Sequence, residues 1–251
     1  MAAGAVLSDF PKIECPLVRR LFQADKQQLW DWARQHRARP CRDGLVYLAT
    51  PEINPGYEWV FQDPEVIATE KLDGTNIKIL VQDGRVAVVQ NRANPPLDLL
   101  NTRVDNTRYA EGVLHAIAKG YLKEDGEYAG ELIGPSVNTN LYQLDRHEWY
   151  PFDRAVESLR YKSFNEHPRT FENWQNWFGG FLRSLYYAKR KKIPIAESIL
   201  AEGVVFYHLR RRAEGQWPWM AKLRRDMFRF FYEAVTIGAE PVGGNVSPAM
   251  E

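Results

Sequence analysis

The stretch that most constrains the fold of this chain is Glu70-Lys71-Leu72-Asp73-Gly74-Thr75-Asn76, which lies between two apolar runs. The runs, residues 65–69 and 77–81, are rich in β-branched side chains, which predicts a strand, a tight turn and a second strand. A glycine in the turn lets the backbone approach a ligand closely. A partly buried lysine loses its proton more easily and becomes a nucleophile, so Lys71 is a candidate for that role. The alternative is a surface hairpin with a solvated lysine.

The composition is that of an ordinary globular protein. The chain has 251 residues, 45% of them hydrophobic, and a formal charge of +1, so any basic surface must be local. Cys15 and Cys41 have no Cys-x-x-Cys spacing, so we expect free thiols in a reducing compartment and a cytoplasmic protein. We expect no membrane segment and no signal peptide, because no apolar run is long enough and the N-terminus lacks a basic region.

Strands dominate the middle of the chain and helices flank it without a regular βαβ alternation. This order predicts an α+β fold of antiparallel sheets. The Asp83-Gly84 pair predicts a hairpin, and the Gly/Pro-rich residues from Gly238 onward are expected to fray. Periodicity predicts helices over 23–36, 109–119 and 171–187. Their predicted apolar faces contain Leu29, Trp30 and Ala33, then Val113, Leu114 and Ile117, and finally Trp174, Phe178, Phe181, Leu182 and Leu185.

Six short motifs with polar residues follow one another along the chain. They are Lys71-Leu72-Asp73-Gly74, Arg92, Gly130-Glu131-Leu132-Ile133-Gly134, Phe152-Asp153, Glu202-Gly203-Val204-Val205 and Lys222-Leu223-Arg224. With these motifs in this order, the chain resembles the covalent nucleotidyltransferase superfamily of ATP-dependent ligases and mRNA capping enzymes. The resemblance covers roughly Ile67 to Asp226 and is strongest to the RNA ligase branch. Thr75-Asn76 supports that branch, because capping enzymes and DNA ligases usually carry an arginine two residues after the motif glycine.

The resemblance implies a ligase-type nucleotidyltransferase domain of antiparallel sheets. We expect an adenylyltransferase domain over residues 66–232, an N-terminal extension over 1–65 packed on it, and a partly disordered tail over 233–251. About 25 residues follow Asp226, too few for the OB-fold domain that DNA ligases and capping enzymes append. Without that clamp, either a partner protein holds the RNA or the catalytic domain recognises it directly.

The implied reaction joins an RNA 5′-phosphate to a 3′-hydroxyl, with ATP as co-substrate and Mg²⁺ or Mn²⁺ as cofactor, as in RNA repair. Lys71 would take AMP from ATP and pass it to the RNA 5′-phosphate, and the 3′-hydroxyl would then displace AMP. Asp73 would lie near the transferred group. Lys222 would neutralise phosphoryl charge during the transfer.

The same resemblance implies a set of nucleotide-binding residues: Glu70, Lys71, Arg92, Glu131, Phe152, Glu202, Lys222 and Arg224. Glu202 would also hold the metal, because Mg²⁺ usually binds one or two carboxylates plus substrate phosphates. Glu131 would contact the ribose, although for either glutamate a buried salt bridge to an arginine is the alternative. Phe152 would stack on adenine, with Tyr150 and Trp149 as rivals. Ligases commonly show Lys-x-Lys where this chain has Lys222-Leu223-Arg224, and Arg225 could substitute.

A local basic patch is the expected footprint of RNA. Between Phe181 and Phe230 the chain has twelve basic and four acidic residues. Arg210, Arg211, Arg212 and Lys191 are the candidate RNA-binding residues, although a charge run is often only a solvated face. The histidines show no metal-ligand spacing.

Two rival functions remain at this stage. One is a GTP-using guanylyltransferase or a DNA ligase, which Thr75-Asn76 and the absent OB-fold domain disfavour. The other is a non-catalytic RNA-binding module, which the retention of Lys71, Glu131, Glu202 and Lys222 disfavours.

Overall fold

The computed structural model describes residues 7, 12–36, 42–91, 94–99, 106–166 and 168–242. Within those residues the strands pair antiparallel in sheets of three, three and four strands, which confirms the predicted α+β fold. None of these sheets is a five-stranded OB-fold barrel. In chain order the strands are β1 Leu17–Ala24, β2 Leu45–Ile53, β3 Ile67–Lys71, β4 Thr75–Gln82, β5 Arg85–Asn91, β6 Gly126–Ile133, β7 Glu148–Pro151, β8 Gly203–Tyr207, β9 Met220–Arg224 and β10 Ile237–Pro241.

The helices of the described residues are short, and none has the length and apolarity to cross a lipid bilayer. A turn of π-helix covers Trp177–Phe181. In chain order the α-helices are α1 Lys26–Gln35, α2 Trp59–Gln62, α3 Thr107–Ala118, α4 Phe152–Ser158, α5 Phe171–Asn176, α6 Leu185–Lys191 and α7 Leu209–Ala213.

The chain divides into two compact units, of which the first contains Met1–Lys12 and Leu72–Leu159. Its sheet has the strand order β5-β4-β6-β7. The predicted hairpin is confirmed, because Asp83 and Gly84 have φ of 52° and 68° and join β4 to β5. The core of this unit includes Ile77, Ile79, Val113, Leu132 and Trp149.

The second unit contains Ile13–Lys71 and Arg160–Glu251 and has two sheets, ordered β10-β1-β2 and β3-β8-β9. The second of these sheets carries Lys71, Lys222 and Arg224. One core of the unit contains Phe22, Ala24, Leu29, Trp32, Ala33, Val46, Leu48 and Tyr232. The domain boundaries expected at 65 and 232 stay a prediction.

Helix α1 differs from its prediction in start and in face. It begins at Lys26 instead of Gln23, because the Asp25 side chain caps it by accepting from a backbone N–H. Trp30 is exposed, whereas Trp32 is buried. The Trp32 ring packs 5.0 Å from the ring of Tyr232, a partner from the far end of the chain that local periodicity cannot reveal.

The predicted face of α3 is also partly wrong. Val113 is buried, but Leu114 is 65% exposed and Ile117 is exposed as well. The reason lies at Gly112, where an added Cβ would come within 2.4 Å of Leu132 Cδ1. The sheet therefore packs tightly against the glycine side of the helix.

The long helix predicted over 171–187 is wrong, because it is interrupted after the π-helical turn. Leu182 O accepts from Ala201 N at 2.9 Å, and Ser184 N donates to Ile199 O at 2.8 Å. These contacts draw residues 182–184 into extended pairing, and α6 starts afresh. The fraying expected from Gly238 is wrong for residues 238–241, which form part of β10 against β1.

Candidate active site

The sheet β3-β8-β9 places three of the predicted cations on one face. Lys71 pairs with Gly203, Gly203 pairs with Arg224, and Val205 pairs with Lys222. Directly paired residues of antiparallel strands point to the same side of a sheet. The side chains of Lys71, Lys222 and Arg224 therefore emerge on the same face, which is a suitable arrangement for phosphate groups.

Gly203 sits at the centre of this face, between Lys71 and Arg224 in the register. A Cβ at this position would lie 2.3 Å from Leu223 O and 2.9 Å from Arg224 Cα, so only glycine fits. The lack of a side chain lets the backbone of β9 approach β8 closely, beside the candidate nucleophile.

Lys71 forms an ion pair with Glu202, the residue that precedes β8. Lys71 Nζ lies 2.6 Å from Glu202 Oε2, and the two side chains are 19% and 22% exposed. The backbone of Glu202 is fixed because its carbonyl accepts from Arg225 N at 2.9 Å. This glutamate therefore forms a salt bridge to the candidate nucleophile.

Glu70 points to the opposite face of β3 and is buried. Its carboxylate accepts from Ser184 Oγ at 2.6 Å and from Tyr186 N at 2.7 Å, at the start of α6. A carboxylate is favourable at a helix N-terminus, where the backbone N–H groups lack partners within the helix. The side chain of Glu70 thus anchors α6 to the strand that carries Lys71.

The structure separates the two arginines of the final motif. Arg224 Nε lies 3.0 Å from Asp226 Oδ1, and its register position shares a face with Lys71. Arg225 Nε donates to Phe178 O at 2.8 Å, and burial lowers the pKa of the Arg225 guanidinium from its usual range. Arg225 is therefore committed to the π-helical turn and is a poor substitute for Arg224.

Cys15 directly follows Glu14 in the chain, and the Glu14 carbonyl accepts from Lys222 N at 2.8 Å. Burial raises the pKa of the Cys15 thiol to about 11. A thiol in this state is inert as a nucleophile near neutral pH. Cys15 therefore does not compete with Lys71 for an electrophile.

In the first unit, Asp73 is held by a loop that follows β6. Its carboxylate accepts from Asn138 Nδ2 at 2.8 Å and from Thr139 Oγ1 at 2.9 Å. Its backbone N–H donates to the Tyr142 hydroxyl at 3.0 Å, and Asn138 Nδ2 also donates to Gly74 O at 2.9 Å. Asp73 is only 9% exposed, so these contacts fix the Asp-Gly turn firmly. The sequence motif gave no sign of this loop.

Glu131 is half-buried in β6, between Asn76 of β4 and Tyr150 of β7 in the register. Strand β7 ends at Pro151, and Phe152 is the first residue of α4. Of its rivals, Trp149 is part of the core and donates to Ile77 O at 3.1 Å. The Tyr150 hydroxyl shares a hydrogen bond of 2.7 Å with Ser158 Oγ.

The predicted RNA-binding arginines lie in α7 and have different surroundings. Arg210 is paired with Glu65, and Arg211 Nε donates to Pro218 O at 2.9 Å. Arg212 lies over the ring of Trp219, 5.0 Å from its centroid. Lys191, the fourth predicted RNA-binding residue, is an exposed residue of α6. Arg92, a predicted nucleotide-binding residue, lies outside the described residues.

One cluster was missed by the sequence analysis. Possible ligand atoms of Asp63, Glu65 and His208 lie within 4.8 Å of one another. His208 Nε2 is 2.9 Å from Asp63 Oδ2, while Glu65 is paired with Arg210. The cluster is therefore bonded internally. No sequence signal could find it, because His208 is far along the chain from Asp63 and Glu65.

Comparison with known proteins adds a family match. Residues 64–224 match the sequence profile described as RNA ligase. A search of curated protein sequences gave no match.

Several solved structures of Naegleria gruberi RNA ligase are similar to the chain. The ligase with PPi gives a TM-score of 0.42 at 18% identity, covering 88% of this chain and 59% of that chain. A glutamate-to-alanine mutant with ATP and Mn gives a TM-score of 0.43 at 15% identity, covering 92% and 61% respectively. The chain therefore spans about three fifths of the length of these solved chains.

Proposed function

Because this chain belongs to the RNA ligase family, we propose that it joins RNA ends through a covalent lysyl-AMP intermediate on Lys71. The observation that carries the proposal is the ion pair between Lys71 and Glu202, on a sheet face shared with Lys222 and Arg224. A lysine, a carboxylate and two further cations form a charge pattern that suits phosphoryl transfer.

In the proposed first step, the neutral Lys71 amine attacks the α-phosphorus of ATP. A P–N bond forms, the bond from that phosphorus to the pyrophosphate oxygen breaks, and the amine loses a proton to solvent. Lys222 and Arg224 would neutralise the negative charge of the phosphate oxygens during the transfer. Before the attack, the Lys71 ammonium must have given one proton to water or a base, because an ammonium cannot attack. The proton lost after the P–N bond forms is a second one.

A divalent cation fits the donor set on this face. Glu202 offers one partly exposed carboxylate, and Mg²⁺ usually binds one or two carboxylates together with substrate phosphates. When bound, such a cation supplies charge neutralisation of the phosphates. Glu202 would then exchange its contact with Lys71 for the cation, which would leave the lysine amine free to lose its proton.

For the residues of the first unit, the roles implied by the family resemblance are part of the proposal. Glu131 would contact the ribose, Phe152 would stack on adenine, and Asp73 would act in AMP transfer to the RNA. Phe152 is the first residue of α4, so the start of this helix determines the position of its backbone. Arg92 keeps its proposed role at the nucleotide.

We further propose that the substrates are RNA 5′-phosphate and 3′-hydroxyl ends, as in RNA repair. In the second step the 5′-phosphate oxygen would attack the phosphorus of lysyl-AMP, and the P–N bond to Lys71 would break. In the third step the 3′-hydroxyl would attack the adenylated phosphate, release AMP and form the phosphodiester. A partner protein that clamps the RNA and a cytoplasmic location complete the proposal.

Incubation with α-labelled ATP or GTP and Mg²⁺ tests the first step. We expect an acid-labile, base-stable label from ATP on the wild-type protein and on Lys26→Ala, a surface lysine control, and none on Lys71→Ala. Label from GTP alone would support a capping-type enzyme. No label from either nucleotide would support a non-catalytic RNA-binding module. Chase with RNA or DNA ends then distinguishes an RNA ligase from a DNA ligase.

A further inference from the structure

Trp217 is an exposed aromatic residue in the loop between α7 and β9. Its exposed fraction is 46%, although tryptophan is usually largely buried in a folded protein. An exposed large aromatic side chain beside charged residues often marks a binding surface. The proposed lysyl-AMP chemistry leaves this residue without a function.

The loop around Trp217 is held from both sides. The rings of Trp217 and Trp219 are nearly perpendicular, at 88°, with centroids 6.2 Å apart. Arg211 Nε donates to Pro218 O at 2.9 Å, which ties the residue between the two tryptophans to α7. Trp217 is therefore presented on a supported loop.

An arginine lies over the neighbouring ring of Trp219. The Arg212 guanidinium lies 5.0 Å from the Trp219 ring centroid, and its residue is exposed. Arg210, two residues before Arg212 in α7, has its charge paired with Glu65. We name Arg211, Arg212, Trp217, Pro218 and Trp219 the tryptophan platform. The combination of an open aromatic ring with an adjacent guanidinium suits a ligand that has both planar groups and negative charge.

We propose that the tryptophan platform binds an unpaired nucleotide of RNA, with its base stacked on Trp217 and its phosphate near Arg212. Single-stranded nucleic acids offer this combination, and aromatic stacking with arginine contacts is their common mode of recognition. The identification of the strand as RNA rests on the proposed function. The inference deepens that function, because it assigns the substrate a contact on Trp217.

The test is a binding titration of a labelled single-stranded RNA by fluorescence anisotropy, without nucleotide. We expect Trp217→Ala to weaken binding by roughly five- to a hundredfold, the range of one lost stacking contact. Trp217→Phe should lose less, because it keeps an aromatic face. Trp30→Ala is the matched control, since Trp30 on α1 is 45% exposed, and it should bind as the wild type does.

Two further measurements define the ligand. The loss caused by Trp217→Ala should be much smaller on a blunt RNA duplex of the same length, whose bases are already stacked. Arg212→Gln should reduce the slope of log affinity against log salt by about one, the expectation for one phosphate contact.

The proposal is overturned if the wild type does not bind the RNA, if Trp217→Ala binds it equally well, or if Trp30→Ala loses as much. The readout needs no ATP, so it is independent of lysyl-AMP formation. A protein that fails to label Lys71 but loses RNA on Trp217→Ala would contradict the ligase proposal alone. If the wild type labels normally but Trp217→Ala keeps the wild-type affinity for RNA, only the proposal for the tryptophan platform is contradicted.

Discussion

Lys71 Nζ lies 2.6 Å from Glu202 Oε2, so the candidate nucleophile forms an ion pair with the candidate metal ligand. In the proposed first step, this pair would separate before Lys71 attacks ATP. Under the proposed function, this contact would couple lysyl-AMP formation to the binding of a cation.

Glu202→Gln should raise the concentration of divalent cation that the first step requires. The amide lacks the charge that would hold a divalent cation, so we expect lysyl-AMP formation to fall on the order of a hundredfold at limiting Mg²⁺. Titration of Mg²⁺ and Mn²⁺ in the labelling assay measures this effect. Glu197→Ala, a change at an exposed glutamate, serves as the control. An unchanged metal requirement in Glu202→Gln would contradict the role proposed for this carboxylate.

Glu70→Ala should destabilise the protein by about 3 kcal/mol, because it leaves the buried donors of Ser184 and Tyr186 without their acceptor. Urea unfolding followed by fluorescence gives the free energy of unfolding. Ser184→Ala should cost less, about 1 kcal/mol, for the loss of a helix cap. The double variant should show less than the sum, since both residues belong to one hydrogen-bonded group.

Thr139→Val should destabilise the Asp73 turn, because one carboxylate oxygen loses its donor. We expect a loss of about 1–2 kcal/mol in the free energy of unfolding. Thr139→Ser keeps the hydroxyl and should restore most of it. Equal stability of the valine and serine variants would show that this hydrogen bond is unimportant.

Gly203→Ala should be poorly tolerated, because the added Cβ would lie 2.3 Å from the backbone oxygen of Leu223. We expect a loss of at least about 2 kcal/mol in the free energy of unfolding. Gly180→Ala is the matched control, since no atom lies within 4 Å of its added Cβ. It should change the free energy by less than about 0.5 kcal/mol.

Asp63 should contribute a pH-dependent stability. The backbone N–H of Glu65 and the ring of His208 lower the pKa of the Asp63 carboxyl from its usual range. A depressed pKa stabilises the fold above the unfolded-state pKa of aspartate, roughly 4, and this contribution is lost as the pH falls towards the lower folded value. Urea unfolding across that acid range should show a shallower decline for Asp63→Asn than for the wild type. Parallel curves would contradict the assignment.

The sequence predicted those parts of the fold that local patterns encode. The strand predicted over 65–69 and the hairpin at Asp83-Gly84 follow from apolar runs and turn chemistry, and both are present, although β3 begins at Ile67 and continues to Lys71. The interruption before α6 was missed, because Ser184 is drawn to Ile199 by a tertiary contact. Propensity cannot report such a contact.

In the candidate site, too, local patterns predicted some features and tertiary contacts determined the others. The motif residues Lys71, Glu202 and Lys222 could be selected from order and spacing, and their contact partners could not. Glu70 pairs with Ser184, more than a hundred residues along the chain, and His208 pairs with Asp63 at a still longer separation. Such pairs leave no local pattern, so only the fold reveals them.

The alternation of Glu70 and Lys71 along β3 has a consequence for transplanting this chemistry. Glu70 is fastened beneath the sheet to the first turn of α6, so the backbone of its neighbour is immobilised from below. Lys71 can then change partner by rotating its side-chain bonds alone. A design that grafts the lysine motif onto another sheet would therefore also need the helix that Glu70 caps. Without it, the backbone at the candidate nucleophile would be less firmly held.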